Sequence, residues 1–262
     1  MKTQFYFPRM VKPFTMLLLL ALGWMIPGRA VAQTPIKNIV LVHGAFADGS
    51  GWLAVYEDLK VRGYNVSVVG NPNTGLADDV AAVKRTLARI DGPVILVGHS
   101  YGGVIITEAG NDPKVAGLVY IAAFVPAADE ALLTLLKSAP PAPKAGIMAP
   151  EEGYVWYDEA KYHSGFCADI PAAQAAFLAD SQVPVSASVF GATIPHPAYK
   201  TKPGWYVLAT QDETIVPDAQ RFMSGRAGLK VTEVKGSHLV FMSQPKAVSD
   251  VIEKAAKSFQ SK

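Results

Sequence analysis

The sequence is short of the features that mark several classes of protein, and each shortage excludes one. Among 262 residues there is one cysteine, Cys167, so neither a disulfide framework nor a thiolate zinc cluster can be built. Charged residues make up 18% against 50% hydrophobic ones, a balance opposite to that of a disordered chain. Five histidines are present, which shortens any search for a catalytic base. A bilayer span needs about 20 apolar residues, but the apolar run 16–26 is broken by Pro27, Gly28 and Arg29. No internal repeat of the solenoid or propeller kind is visible.

That run has another reading. Lys2, Arg9 and Lys12 precede it and Ala30-Val31-Ala32 follows, the order of a secretory signal with a small-residue cleavage site. Residues 1–32 are therefore expected to be removed, leaving Gln33 first and no stable membrane anchor. With no cysteine following the site, a lipoprotein is disfavoured. The expected destination is the periplasm or the outside of the cell. The removed segment carries Lys2, Arg9, Lys12 and Arg29 and no acid, so of 24 Lys+Arg the mature chain keeps 20 against 22 Asp+Glu. The basic surplus belongs to the signal, and nothing points to nucleic acid as a partner. Cys167 reads as a buried, inert thiol.

Residues 33–262 are enough for one domain. Short apolar runs without alternation recur at 39–42, 64–69, 94–97, 115–123, 205–209 and 231–234, as expected of strands covered on both faces. Helical patterns fall between them at 52–62, 76–90, 104–109, 217–223 and 245–259. In the last, Val248, Ile252, Ala255 and Phe259 share one stripe. Strands alternating with helices predict an α/β fold with a mostly parallel sheet flanked by helices. Ligand sites in such sheets lie beyond the carboxyl ends of the strands. Residues 126–202 break the alternation, with Pro140, Pro141, Pro143 and Pro150 and then Tyr154, Trp156, Tyr157, Tyr162 and Phe166. A structureless loop of that length is implausible, so a small, mostly helical cap insertion is expected.

Gly98-His99-Ser100-Tyr101-Gly102 follows one strand pattern and precedes a helical one, the G-x-S-x-G of a sharp strand-to-helix turn that exposes a serine. A serine hydroxyl needs a base, and the base needs an acid to orient it. His43 and His99 lie inside turn motifs, where a backbone-positioning role is expected, and His163 and His196 lie in the insertion. His238, beyond the last strand run, is the candidate base. Asp212, beyond the run 205–209, is the candidate acid, with Glu213 and Asp129 as competitors. A tetrahedral intermediate needs preorganised donors for its oxyanion. Tyr101 offers one backbone N–H; the loop His43-Gly44-Ala45-Phe46 offers the other, from Ala45 or else Phe46. A phosphate-binding reading of that loop lacks the required glycine and lysine spacing.

Together, His43-Gly44-Ala45, Trp52, Ser100, Asp212 and His238 resemble the α/β-hydrolase superfamily over nearly all of residues 33–262. The short loop and compact cap are similar to the branch of methylesterases, hydroxynitrile lyases and bacterial carboxylesterases. The resemblance implies Ser100 as nucleophile, His238 as base and then acid, Asp212 as its partner, and Ala45 and Tyr101 as oxyanion donors. Leu239 stands where the lyases of this branch carry lysine, and Gly44 where they carry a bulkier hydroxyl residue, which disfavours lyase chemistry. Ser100 excludes the aspartate nucleophile of haloalkane dehalogenases and epoxide hydrolases.

Phe46, Tyr101, Phe124, Trp156 and Leu239 are candidates to line an apolar substrate pocket. The expectation is a serine carboxylesterase acting on a small hydrophobic or aromatic ester, with no metal and no organic cofactor. A perhydrolase or acyltransferase using the same triad, and a ligand-binding homologue with little turnover, are the competing expectations.

Overall fold

The computed structural model describes residues 1–6, 36–138, 140 and 142–259. The chain divides into two units, Met1–Ala32 and Gln33–Lys262. Residues 1–6 are irregular and exposed; the apolar run and cleavage motif expected at residues 16–32 lie outside the described residues. Among the described residues no helix is long and apolar enough to cross a membrane.

In the second unit, β1 (Asn38–Val42), β2 (Asn65–Val69), β3 (Val94–His99), β4 (Val115–Ile121), β7 (Gly204–Ala209) and β8 (Lys230–Val234) form one sheet in the order β2-β1-β3-β4-β7-β8. Every pairing in it is parallel. The apolar runs of β1, β3, β4 and β7 are almost wholly buried. The outer strands depart from the expectation of cover on both faces: β2 and β8 are largely exposed, since an edge strand has a neighbour on one side only.

Helices α1 (Leu53–Val61), α2 (Leu76–Ala88), α3 (Gly102–Ala109), α7 (Pro217–Arg226), α8 (Val240–Ser243) and α9 (Pro245–Lys257) connect or follow the strands. Proline opens α7 and α9, where its missing N–H removes no helical bond. Val248, Ile252 and Ala255 of α9 are fully buried, while Phe259 lies beyond the helix end and packs at a tilt against Trp205.

From β1 the chain steps outward to β2, then returns across β1 to β3 and proceeds the other way to β4, β7 and β8. The reversal falls between β1 and β3, so the loops leaving their carboxyl ends diverge and leave a crevice there. Those loops are the ones carrying Gly44-Ala45-Phe46 and Ser100.

The insertion is less helical than its sequence predicts. It holds α4 (Leu132–Lys137), α5 (Glu159–Lys161), a π-helical turn over Tyr162–Phe166 and α6 (Ala172–Asp180). It also holds an antiparallel pair of two-residue strands, β5 (Tyr154–Val155) and β6 (Val185–Ser186). Two residues have no period to detect, which is why this pair leaves no pattern in the sequence.

Candidate active site

Ser100 stands directly after β3 with φ +52°, the left-handed region that side chains avoid. Such a backbone costs about 1–3 kcal/mol and persists only where its surroundings over-determine it. Here they do. Ser100 N–H donates to the Ile121 carbonyl (3.2 Å), while its own carbonyl accepts from Gly103 N–H (2.9 Å) and Phe124 N–H (3.2 Å). A Cβ on Gly98 would collide with the backbone of Gly102, so only glycine lets β3 and α3 approach this closely.

The His238 Nε2 atom lies 2.8 Å from Ser100 Oγ, and Nδ1 lies 2.7 Å from Asp212 Oδ2. The carboxylate can only accept, so Nδ1 carries the proton and Nε2 faces the hydroxyl as an acceptor. All three side chains are buried. Asp212 is fixed by more than histidine: Oδ1 accepts from Thr214 N–H (2.7 Å) and Ile215 N–H (2.9 Å), and Oδ2 also accepts from Gln220 Nε2 (2.9 Å). Gln220 is fully buried, and also donates to the Ile215 carbonyl (2.7 Å) while accepting from Ala209 N–H (3.1 Å). No sequence signal separates it from any polar residue in the first turn of a helix. The competing acids stand aside, with Asp129 exposed and Glu213 making no bond to the histidine.

Three consecutive residues hold the histidine's loop. Ser237 N–H donates to Asp169 Oδ2 (3.0 Å), the His238 carbonyl accepts from His99 Nε2 (3.0 Å), and Leu239 N–H donates to the Phe166 carbonyl (3.3 Å). Burial pushes the His99 imidazole well below its ordinary pKa, so the ring is neutral and its one N–H serves this bond. Asp169 and Phe166 belong to the insertion, which therefore braces the loop from outside the sheet.

On the opposite side, the N–H groups of Ala45 and Tyr101 donate to no acceptor among the described residues. Phe46 N–H is occupied by the Val183 carbonyl (3.0 Å), which removes the alternative donor. A Cβ on Gly44 would lie 2.8 Å from Ser100 Cβ, so glycine lets this loop press against the serine.

A slot of about 20 Å³ opens on Ser100, Ala45 and Tyr101, walled by Phe46, Phe124, Leu132, Leu136, Ile147, Val185, Val189, Phe190 and Thr214. A chamber of about 420 Å³ adjoins it and shares Phe124, Leu136, Ile147 and Thr214 with it. The larger space does not touch Ser100, whereas the smaller, which holds little more than a water molecule, reaches it. Phe46 and Phe124 line the slot. Two expected wall residues do not. Trp156 lies half-exposed in a separate surface cleft with Glu151, Glu152, Tyr154 and Pro184, and Leu239 is buried outside both spaces. Tyr157, Tyr162 and Phe166 turn inward instead, with Phe46 edge-on to Tyr157 and Phe166, Tyr157 edge-on to Tyr162, and Phe166 tilted against both tyrosines. Leu132, Leu136, Ile147, Val185, Val189 and Phe190 escaped the sequence reading because nothing in the insertion's pattern says which residues face inward.

Burial pushes the Cys167 thiol up to about 12, with Asp169 adding to the shift. Among the described residues no group of three or more His, Cys, Asp or Glu is placed to hold a metal ion.

Sheet topology, elbow and hydrogen-bonded Ser-His-Asp line define an α/β hydrolase, and comparison with known proteins agrees. The alpha/beta hydrolase family model matches residues 39–251, and the chain belongs to that family. It is 27% identical over 248 residues to a carbendazim hydrolyzing esterase from Nocardioides sp. (strain SG-4G), covering 82% of this chain and 98% of the relative. The structure of a pyrethroid hydrolase from Sphingobium faniae JZ-2 superposes with a TM-score of 0.74 at 25% identity, covering 85% of this chain and 98% of that one. Polyneuridine aldehyde esterase shares the fold at a TM-score of 0.71 and 18% identity, covering 82% and 96%.

Proposed function

We propose that this chain is an exported serine carboxylesterase that hydrolyses small apolar or aromatic esters through an acyl-enzyme. The single observation that carries the reading is the continuous buried line Ser100 Oγ, His238 Nε2, His238 Nδ1, Asp212 Oδ2, with distances of 2.8 and 2.7 Å. In the proposed reaction Ser100 Oγ attacks the ester carbonyl while His238 Nε2 takes its proton. Asp212 stabilises the resulting imidazolium without becoming protonated. The carbonyl oxygen takes up the negative charge facing the Ala45 and Tyr101 N–H groups. Collapse breaks the carbon–alkoxide bond, and the proton on His238 passes to the departing alcohol. Water, deprotonated by the same histidine, then releases the acid. No metal or organic cofactor enters any step.

The adjoining chamber of about 420 Å³ has apolar walls apart from Thr214, which favours an uncharged substrate with one bulky apolar half. Relatives that act on carbendazim and pyrethroids support the same class of substrate. Export rests on the signal pattern of residues 1–32 and is tested by whether the recovered protein begins at Gln33.

The deciding experiment is a burst assay with para-nitrophenyl esters on wild type and Ser100→Ala. The expected result is a stoichiometric burst followed by steady turnover, with turnover reduced on the order of a millionfold in the variant. Ester hydrolysis that persisted in Ser100→Ala would overturn the assignment.

A further inference from the structure

Behind the loop that carries Ala45 lies a buried polar cluster with no part in the proton transfers above. Asp79, in the first turn of the 13-residue helix α2, is wholly buried. One carboxylate oxygen accepts from the Tyr101 hydroxyl (2.7 Å), the other from Asn73 N–H (2.7 Å). Asn73 is itself wholly buried, with φ +59°. Its Nδ2 donates to the Gly44 carbonyl at the long distance of 3.5 Å, and its Oδ1 accepts from Asn71 Nδ2 (3.1 Å). Its carbonyl accepts from Ser186 N–H of β6 (2.8 Å). His43 Nδ1 lies 2.9 Å from the same Gly44 carbonyl.

The Gly44 carbonyl and the Ala45 N–H are two ends of one planar peptide, so fixing the direction of the first fixes the second. The Tyr101 hydroxyl likewise anchors the residue whose backbone N–H is the other donor. Both donors are thus referred to one carboxylate: Tyr101 directly, Ala45 through Gly44 and Asn73. A cluster that only filled space would not need this chemistry. Burying a carboxylate is costly, and burial raises the Asp79 carboxyl from its ordinary value while the Tyr101 and Asn73 bonds pull it back. The left-handed backbone of Asn73 adds strain of the kind that collects at functional sites.

We infer that Asp79 and Asn73 are positioning residues that set the Ala45 and Tyr101 N–H groups in mutual register as the oxyanion hole for attack by Ser100. This rests on the acyl-enzyme reading of Ser100. The test compares wild type with Asp79→Asn and Tyr101→Phe, the second of which keeps the ring that fills the site. Read-outs are kcat and KM for a para-nitrophenyl ester, the affinity of phenylboronic acid, whose serine adduct is tetrahedral, the pH profile, and burst amplitude.

The expected result is a kcat lower by about tenfold to a hundredfold, below the full loss of one donor, with KM changed by less than about threefold. Boronate affinity should fall in parallel, and the acidic limb of the pH profile should stay in place because the His238–Asp212 pair is untouched. Thr74→Ala, which removes the nearby exposed bond to Asp78 (2.8 Å), should keep kcat and serves as the local control. Variants with full burst amplitude and wild-type kcat overturn the inference, as does a kcat loss that merely tracks a lost burst amplitude. If Asp79→Asn does not fold, Tyr101→Phe decides. A wild-type protein with no burst removes the underlying reading of Ser100 instead, and is distinguishable because it appears before any variant is compared.

Discussion

Ser100, Asp212 and His238 stand on loops leaving β3, β7 and β8, whereas most walls of the slot that opens on Ser100 come from the insertion at residues 126–202. The two regions hold their side chains by different means. In the sheet, strands such as β3 and β7 are buried throughout and hydrogen-bonded to neighbours on both sides, so a loop at their ends inherits a fixed origin. The insertion is built of short helices, a π turn and two-residue strands, and depends on separate tethers. Tyr162 donates its hydroxyl to the Phe46 carbonyl (2.9 Å), Gln182 bonds the backbone of Tyr157 in both directions (2.9 and 3.1 Å), and Asp169 binds Ser237 and Ser243. Ser100 and Asp212 therefore take their positions from inner strands, while the His238 loop, which follows the edge strand β8, is braced by the insertion as well. Most walls of the slot belong to the insertion, which these tethers hold to the rest of the domain.

That contrast can be broken or sharpened by substitution. The largest effect is expected in the core: Leu118→Ala empties a fully buried position in β4 and should cost about 2–5 kcal/mol by chemical denaturation. Leu133→Ala, at a half-exposed position in the insertion, should cost less than about 0.5 kcal/mol. Equal costs would dissolve the comparison. Next, Gln220→Leu removes one of the four donors to Asp212 while keeping the volume. We expect kcat to fall by about tenfold or more with KM little changed, measured on protein confirmed folded by circular dichroism.

Asp169→Ala cuts the tether between the insertion and the His238 loop, and should lower kcat by several-fold without abolishing the burst. The same tether has a pH signature. Burial alone would raise the Asp169 carboxyl, but the Ser237 and Ser243 hydroxyls and the Ser237 N–H hold it below its usual range. A depressed folded-state pKa contributes stability that is present above the unfolded value, near 3.9, and is lost as pH falls through the folded one. Wild type should therefore lose this contribution below about pH 4, whereas Asp169→Ala should show a shallower acid dependence of stability in that window. The smallest effect is expected at Trp156: its replacement by alanine should leave kcat/KM within about twofold, because its cleft is separate from the slot. A large rise in KM there would place the cleft on the substrate's path.

Much of the sheet was legible because an apolar, β-branched run such as 94–97 can be buried on both faces only as an inner strand. The elbow was legible because glycines around Ser100 have a steric reason that composition displays directly. Trp156 and Leu239 were misplaced as pocket residues for the opposite reason. An aromatic run says that rings will be buried, and the bends of β5 and the π turn then send Tyr157, Tyr162 and Phe166 inward while Tyr154 and Trp156 stay half-exposed. Gln220, Asp79 and Asn73 carried no signal, since a buried hydrogen bond to a residue far along the chain has no local pattern.

By itself the sequence determined the alternation of strands and helices, the strained serine turn and the chain order of serine, acid and histidine, because each follows from local sterics or from hydrophobic period. Only the tertiary structure decided which residues wall the slot, which N–H groups stay unoccupied beside Ser100, and which buried polar groups brace Asp212, His238 and Tyr101. These depend on distances between segments as far apart as Ser100 and His238, and such distances exist only once the sheet has brought the strand ends together.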